Sequence, residues 1–355
     1  MVKYKQISQL LEKRIRYGDY VSEDLPTEMN LASEIGVSRT TARKAIMHLI
    51  DRGVLMRGEN GRVLCSQKQE TQTSRVAFLT PAWPSSEMHI WRYALEKAAA
   101  KLGVQLRPID YVHSDDPAIF QAAENFDGVF LLPGPEAFPK PVIDRLKRYP
   151  HLVIVGQDYS WADLLSIHCF PANHIRQLLD VFAAKNLQTV DCVVAQPIGP
   201  TMETRIGQWW EFKRDTDIGG DMITAKFKPY TMTMHNAYDL VSDYLKQTPC
   251  PIQPIAQTDL PHGLFCCSIN AAVGASRAVA DAGLTVGKDV LISAINGEEV
   301  NRYLQPSITC LEARDASQYL EQSLSWMKLK ETSWQGSILM EPEQPSLFIG
   351  ESTGL

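Results

Sequence analysis

Residues 36–46 read GVSRTTARKAI, and their spacing determines what the first part of the chain is. At about 100° per residue, Ala42, Ala45, Ile46, Leu49 and Ile50 fall on one helical stripe, the pattern of a face that packs on a core. Arg39, Thr40, Arg43 and Lys44 project from the other side. Ser38 is a natural N-cap, so the spacing predicts a helix starting at Arg39 with its backbone donors and partial positive charge facing outward. A basic outer face is by itself most often a solvated one. The neighbours change that balance. Upstream, LPTEMNLASEIGVS supplies a short helix with Leu31, Ala32 and Ile35 on one face, and Gly36 turns tightly into the next helix. Downstream, Gly53 ends the second helix, and VLMRGENGRVLCS reads as two short strands around an Asn60-Gly61 turn. Helix, turn, helix and hairpin together describe a winged helix-turn-helix.

Residues 4–65 resemble the DNA-binding domain of GntR-type transcription regulators through YKQISQLLEKRIRYGDY, LPTE, GVSRTTARKAI, RGVL and RGENGRV. The resemblance implies that the LPTE segment, with Thr27, opens the first helix of the motif and that Arg39 and Arg43 reach DNA. Ser38, Thr40 and Thr41 are then phosphate or base-edge contacts, Lys44 a phosphate contact, and the wing from Glu59 to Arg62 carries a minor-groove contact at Gly61. One departure stands out. The family often has a basic residue just after this segment, where Met29 and Asn30 stand here, so one DNA contact is expected to be missing.

The net charge of −6 looks wrong for a DNA binder until the chain is split. Residues 1–68 hold 12 basic and 8 acidic side chains, net +4, and the remainder holds 23 against 33, net −10. Basic charge sits with the motif and an acidic body follows. The 355 residues predict two or three domains: a head over 1–65, a polar linker over 66–74 (SQKQETQTS) and a body over 75–355. In the body, apolar stretches at 76–80, 128–133, 152–156, 191–195, 222–227, 264–268 and 290–295 alternate with amphipathic helical ones. That alternation predicts α/β architecture with parallel sheets, divided into two lobes that hold a ligand at the carboxyl ends of their strands.

The body resembles the effector domain of LacI/GalR-type repressors, related to periplasmic sugar-binding proteins. The best match runs from LFCCSINAAVGASRAVADAGLTVGKDVLISAINGEEV to YLQPSITCL, and ILMEPEQPSLFIGESTG looks like the family's last strands. A GntR-type head on such a body is the arrangement of arabinose-repressor-like regulators. In TRIGQWWEF, Arg205 stands where the family places an arginine that grips the ligand. Where sugar-binding members carry Asn-Asp, this chain has Ser268 and Ile269, with Asn270 next, and where they carry Asp it has Asn296. Loss of these acidic acceptors implies an effector other than an ordinary pentose or hexose, or a pocket that has lost its ligand. An arginine without carboxylates favours a sugar acid or sugar phosphate. Asp158 or Gln157 could act from the first lobe. The aromatics Trp83, Trp91, Trp161, Trp209, Trp210 and Tyr230 are expected mostly on the cleft side, with Trp91, Trp209 and Tyr230 as the ligand contacts, against the plainer alternative that they pack the lobes.

Seven scattered cysteines with no metal-type spacing, no leader pattern before MVKYKQ and no long apolar run predict a reduced, cytoplasmic protein without metal or cofactor. P-loop, GxSxG, HExxH and dinucleotide fingerprints are absent from the sequence. The expectation is therefore a homodimeric, non-enzymatic regulator, probing double-stranded operator DNA with its head and a sugar or anionic sugar derivative with its body. A body that only dimerises, or an enzyme fused to the head, are the alternatives.

Overall fold

The computed structural model describes residues 3–16, 20, 25–58, 63–65, 74–82, 85–185, 187–228, 231–247, 251–254, 260–297, 299–313, 315–329 and 336–354. The head consists of α1 (Lys3–Arg16), α2 (Glu28–Ile35), α3 (Arg39–Asp51) and an antiparallel pair, β1 (Leu55–Arg57) and β2 (Val63–Cys65). Helices α2 and α3 each start where the sequence supplies a cap. Thr27 Oγ1 accepts from the Asn30 amide at 3.2 Å, and Ser38 Oγ accepts from the Thr41 amide at 3.2 Å. Gly36 adopts a left-handed conformation (φ 67°, ψ 44°), which turns the chain from α2 into α3. The predicted stripe is the core: Ala42, Ala45, Ile46 and Leu49 pack on Leu31, Ile7 and Leu11. The expected turn at Asn60-Gly61 lies outside the described residues.

The body starts within the last residue assigned to the linker. Ser74 is buried, and its carbonyl accepts from the Gln105 amide, while residues 66–73 lie outside the described residues. Two six-stranded sheets follow. The first contains β3 (Arg75–Pro81), β4 (Gln105–Tyr111), β5 (Gly128–Leu131), β6 (Leu152–Val155), β7 (Leu165–Ile167) and β13 (Leu339–Met340), in the order β13-β7-β6-β5-β3-β4. The second contains β8 (Val190–Val194), β9 (Met222–Thr224), β10 (His262–Cys266), β11 (Val290–Gly297), β12 (Thr309–Glu312) and β14 (Ser346–Phe348), in the order β14-β12-β11-β10-β8-β9. All pairings are parallel except β12 with β14. The two lobes share one winding: in each the first strand sits between the second and third, which opens a crevice beyond the strands' carboxyl ends. Helices α4 (Ser86–Leu102), α5 (Pro117–Asn125), α6 (Lys140–Leu146), α7 (Ala172–Ala183), α8 (Pro200–Thr216), α9 (Thr233–Leu245), α10 (Ile269–Asp281) and α11 (Ser317–Lys328) supply the crossovers and cover the sheets.

Fully buried strands such as LVIV and VDCVV have both faces covered, as parallel sheets require. Among the described residues no helix is long and apolar enough to cross a membrane. The described cysteines, Cys169, Cys192, Cys266, Cys267 and Cys310, are free and buried.

Candidate DNA-binding face and interlobe cleft

On α3 the core stripe leaves Arg39, Thr40, Arg43, Lys44 and Met47 exposed on one face. Ser38 and Thr41 join their hydroxyls at 2.8 Å at the start of that face. Glu28, in the first turn of α2, reaches across to both arginines: its carboxylate lies 3.3 Å from Arg39 Nε and 3.8 Å from Arg43 Nε. A carboxylate at the helix-turn-helix elbow thus orients two guanidinium groups that remain 72% and 64% exposed. At the other end of α3, Arg52 pairs with Glu12 through two hydrogen bonds of 2.7 and 3.2 Å, tying this helix to α1. The outward face is therefore basic, polar and held by two rigid neighbours. Thr27 is spent on capping α2, and Gly61 and Arg62 lie outside the described residues.

In the body, the loops at the carboxyl ends of β3, β5, β6 and β8 converge on a cleft between the lobes. One compartment, about 90 Å³, lies among Glu87, Gly134, Gln157, Gln196, Thr201 and Arg205. A second compartment of about 310 Å³ shares Gln157, Thr201 and Arg205 and adds Asp158, Trp161 and Glu203. Arg205 is 4% exposed, and its Nη1 donates to the Cys267 carbonyl at 2.6 Å, at the end of β10. Its guanidinium lies 5.8 Å from the ring centre of Phe170.

The charge facing Arg205 comes from a residue that sequence reasoning passed over. Glu87 lies at the start of α4 on the first lobe, and the Trp91 indole donates to its carboxylate. Burial raises the Glu87 carboxyl above its ordinary value and lowers the Arg205 guanidinium, and each charge partly offsets the other's desolvation. Gly156 makes the arrangement possible. Its φ of +85° favours glycine, and a Cβ there would lie 2.7 Å from Leu132 Cδ1 and 3.1 Å from Glu87 Oε1.

The other residues expected at the ligand separate clearly. Asp158 is exposed in the second compartment. Trp209 is completely buried, with Nε1 donating to the Val190 carbonyl at 2.8 Å, so it is a core residue and not a ligand contact. Trp91 is 5% exposed; it serves Glu87, and its remaining edge borders a hollow beside Tyr93 and Lys97, not the cleft. Ser268 caps α10, its Oγ accepting from the Ala271 amide at 3.2 Å. Asn296 sits at a register irregularity near the end of β11 with a positive φ of 63° and a buried, unpartnered Oδ1, and like Asn270 it lines neither compartment. Tyr230 lies outside the described residues. Among the described residues no group of three His, Cys, Asp or Glu side chains could hold a metal.

Comparison with known proteins agrees with both halves. The family model of bacterial regulatory proteins, gntR family, matches residues 3–64, and that of the periplasmic binding protein-like domain matches residues 224–314. The chain joins a GntR-type DNA-binding head to a periplasmic-binding-protein-like body. It is a DNA-binding transcription regulator. An uncharacterized HTH-type transcriptional regulator of Bacillus subtilis (strain 168) is 24% identical over 199 residues, 54% of this chain and 75% of that one. Among solved structures, the lac repressor dimer bound to operator and the anti-inducer ONPF overlays with a TM-score of 0.61 at 14% identity, covering 81% of this chain and 96% of the other. A LacI family regulator from Arthrobacter sp. FB24, in complex with lactose, gives 0.62 at 15% identity, covering 79% and 99%. At these identities the overlays establish the fold alone, that of a LacI-like two-lobed body.

Proposed function

We propose that this regulator binds a two-fold-related operator as a homodimer and that a small hydroxyl-rich effector, closing the cleft between its lobes, changes operator affinity. The head, residues 1–65, places one copy of α3 in each major groove; Arg39 or Arg43 reads bases, and Lys44, Thr40 and Thr41 meet phosphates. The segment 66–73 connects it to the body, which begins at Ser74. The effector acts through different affinities for open and closed lobes, since only that difference can shift their balance.

The observation that carries the effector reading is that Arg205 and Glu87, groups of opposite charge from opposite lobes, line one cleft. It also revises the expected chemistry. An anionic effector was favoured by an arginine lacking a carboxylate, and Glu87 supplies one. A neutral polyol suits the two together: its hydroxyls donate to Glu87 and accept from Arg205, bridging the lobes without adding a charge.

A thermal-shift panel of neutral sugars, sugar acids and sugar phosphates tests this. A neutral saccharide at 100 times its dissociation constant should stabilise the protein by about 2.7 kcal/mol, and Arg205→Ala should abolish the response. Stabilisation by sugar acids or phosphates alone would overturn the neutral reading. No response to any of them would leave the body as a dimerisation module.

A further inference from the structure

The body carries a further hollow, larger than either compartment of the cleft. At about 540 Å³ it has the size of a small-molecule site. Ile90, Trp91, Tyr93 and Ala94 line it from α4, and Cys169, Ala313 and Ala316 line it from outside that helix. We infer that this hollow is a second regulatory site, separate from the cleft, for a flat aromatic molecule that carries one carboxylate.

The lining is mostly apolar or aromatic. Cys169 counts with it: burial pushes its thiol up to about 12, so it carries no charge near neutral pH. Tyr93 is 72% exposed and leaves its ring open to stacking. Charge enters from His89, Lys97 and Asp315. Asp315 is already engaged at the start of α11, where the Ser317 hydroxyl and amide hold its carboxyl below the usual carboxylate range; the amide donates at 2.9 Å. Lys97 acts on Asp315 electrostatically but forms no salt bridge among the described residues. An ammonium without a salt-bridge partner, beside an aromatic surface, selects a carboxylate on an aromatic body. An amine on the same body would meet the Lys97 charge instead.

Its position makes the hollow regulatory. The chain crosses between the lobes at 168–171, from β7 to α7, and again at 313–316, from β12 to α11. Helix α7 packs on α8 and β12 in the second lobe, and α11 packs on α4 in the first. Cys169 and residues 313–316 therefore lie where the backbone bends when the lobes open and close, while α4 moves with the first lobe. A molecule touching both α4 and the crossings binds one lobe arrangement better than the other, and so shifts their balance. Trp91 adds a direct link, because it lines the hollow and its indole donates to Glu87 in the cleft. This coupling rests on the lobe closure proposed above; binding in the hollow does not, so the two fail separately.

The test uses naphthoate and naphthylmethylamine, two probes of one shape and opposite charge, in calorimetry on the full chain. Naphthoate should bind about fivefold more tightly than the amine, the scale of an exposed charge pair. Lys97→Met should remove that preference, and Tyr93→Ala should weaken naphthoate about tenfold. Both side chains are exposed, so neither variant endangers the fold. No binding of naphthoate at millimolar concentration, or binding that both variants leave unchanged, would overturn the site. A Tyr93→Ala chain that turns monomeric would also overturn it, assigning the hollow to subunit contact. On an operator selected from random duplexes, saturating naphthoate should shift the dissociation constant at least about fivefold. Naphthoate that binds in the hollow without such a shift would overturn the regulatory role.

Discussion

The head and the body present their chemistry in opposite ways. On the head, the side chains facing outward lie close together in sequence, carried on one 13-residue helix, α3, and one carboxylate from the preceding helix, Glu28, orients two of them. In the body the cleft is assembled from loops following β3, β5, β6 and β8, about 120 residues apart in the chain and drawn from both lobes. DNA offers every reader the same phosphates and base edges, so a short local pattern suffices to meet it. A small ligand offers one particular shape. Its site depends on where loops end in space, which local spacing does not report.

Breaking the comparison at the body's core should give the largest effect. Trp209→Ala removes a completely buried indole and leaves the Val190 carbonyl without its donor, so unfolding of the body should become easier by about 3–5 kcal/mol. Chemical denaturation monitored by circular dichroism measures it. A change below about 1 kcal/mol would return Trp209 to the cleft surface. On the head, Arg43→Ala should weaken operator binding by about 1–3 kcal/mol and relax base preference. Lys44→Ala should weaken all sequences alike and lower the salt slope by about 1. Anisotropy titrations at several salt concentrations separate the two, and unchanged curves for both variants would remove α3 from the groove.

Closure of the cleft can be broken at one glycine. Gly199, just before α8, lies so close to the Pro135 carbonyl of the other lobe that an added Cβ would stand 1.8 Å from that oxygen. Its φ of −139° is open to any residue, so only space forbids a side chain there. Gly199→Ala should hold the lobes apart and weaken saccharide binding by about 1–3 kcal/mol, the range of an overpacked contact. Small-angle scattering should show the variant no more compact with saccharide than without. Compaction equal to wild type would show that the lobes do not meet at this point. The smallest effect belongs to Glu28→Gln, which frees Arg39 and Arg43 and removes a negative charge from the DNA face. Exposed pairs are worth at most about 1 kcal/mol, so non-specific DNA affinity should rise by no more than that. A fall would mean that Glu28 is needed to aim the arginines.

How far the sequence could be read follows the same division. The α3 stripe, the cap at Ser38 and the turn at Gly36 were all legible because each is settled within a few residues, whereas Thr27, expected at the DNA, caps α2. Central strands such as β6 and β8 were legible as apolar runs. By contrast β4 was missed, because an edge strand needs one apolar face only and tolerates Pro108 where an amide would otherwise face outward. Strand β7 is three residues long and has no period to read. In the cleft, Arg205 was found by resemblance, while Trp209 was misplaced despite a visible signal. Met202, Arg205, Trp209 and Phe212 form one buried stripe of α8, so Trp209, one turn beyond Arg205, runs under the sheet. Glu87 looked like an ordinary residue in the first turn of a helix capped by Ser85. What makes it part of the cleft is the missing side chain at Gly156, which lies 69 residues away.

The central claim is that one chain couples a DNA-reading helix to a saccharide-filled cleft. It is tested most directly by anisotropy titration of the full chain on an operator selected from random duplexes, with and without the saccharide that stabilises it most. The account predicts that saturating saccharide shifts the operator dissociation constant at least about fivefold, the lower end of ordinary coupling, in wild type but not in Arg205→Ala. Superimposable titrations of wild type with and without a saccharide that demonstrably binds would contradict it.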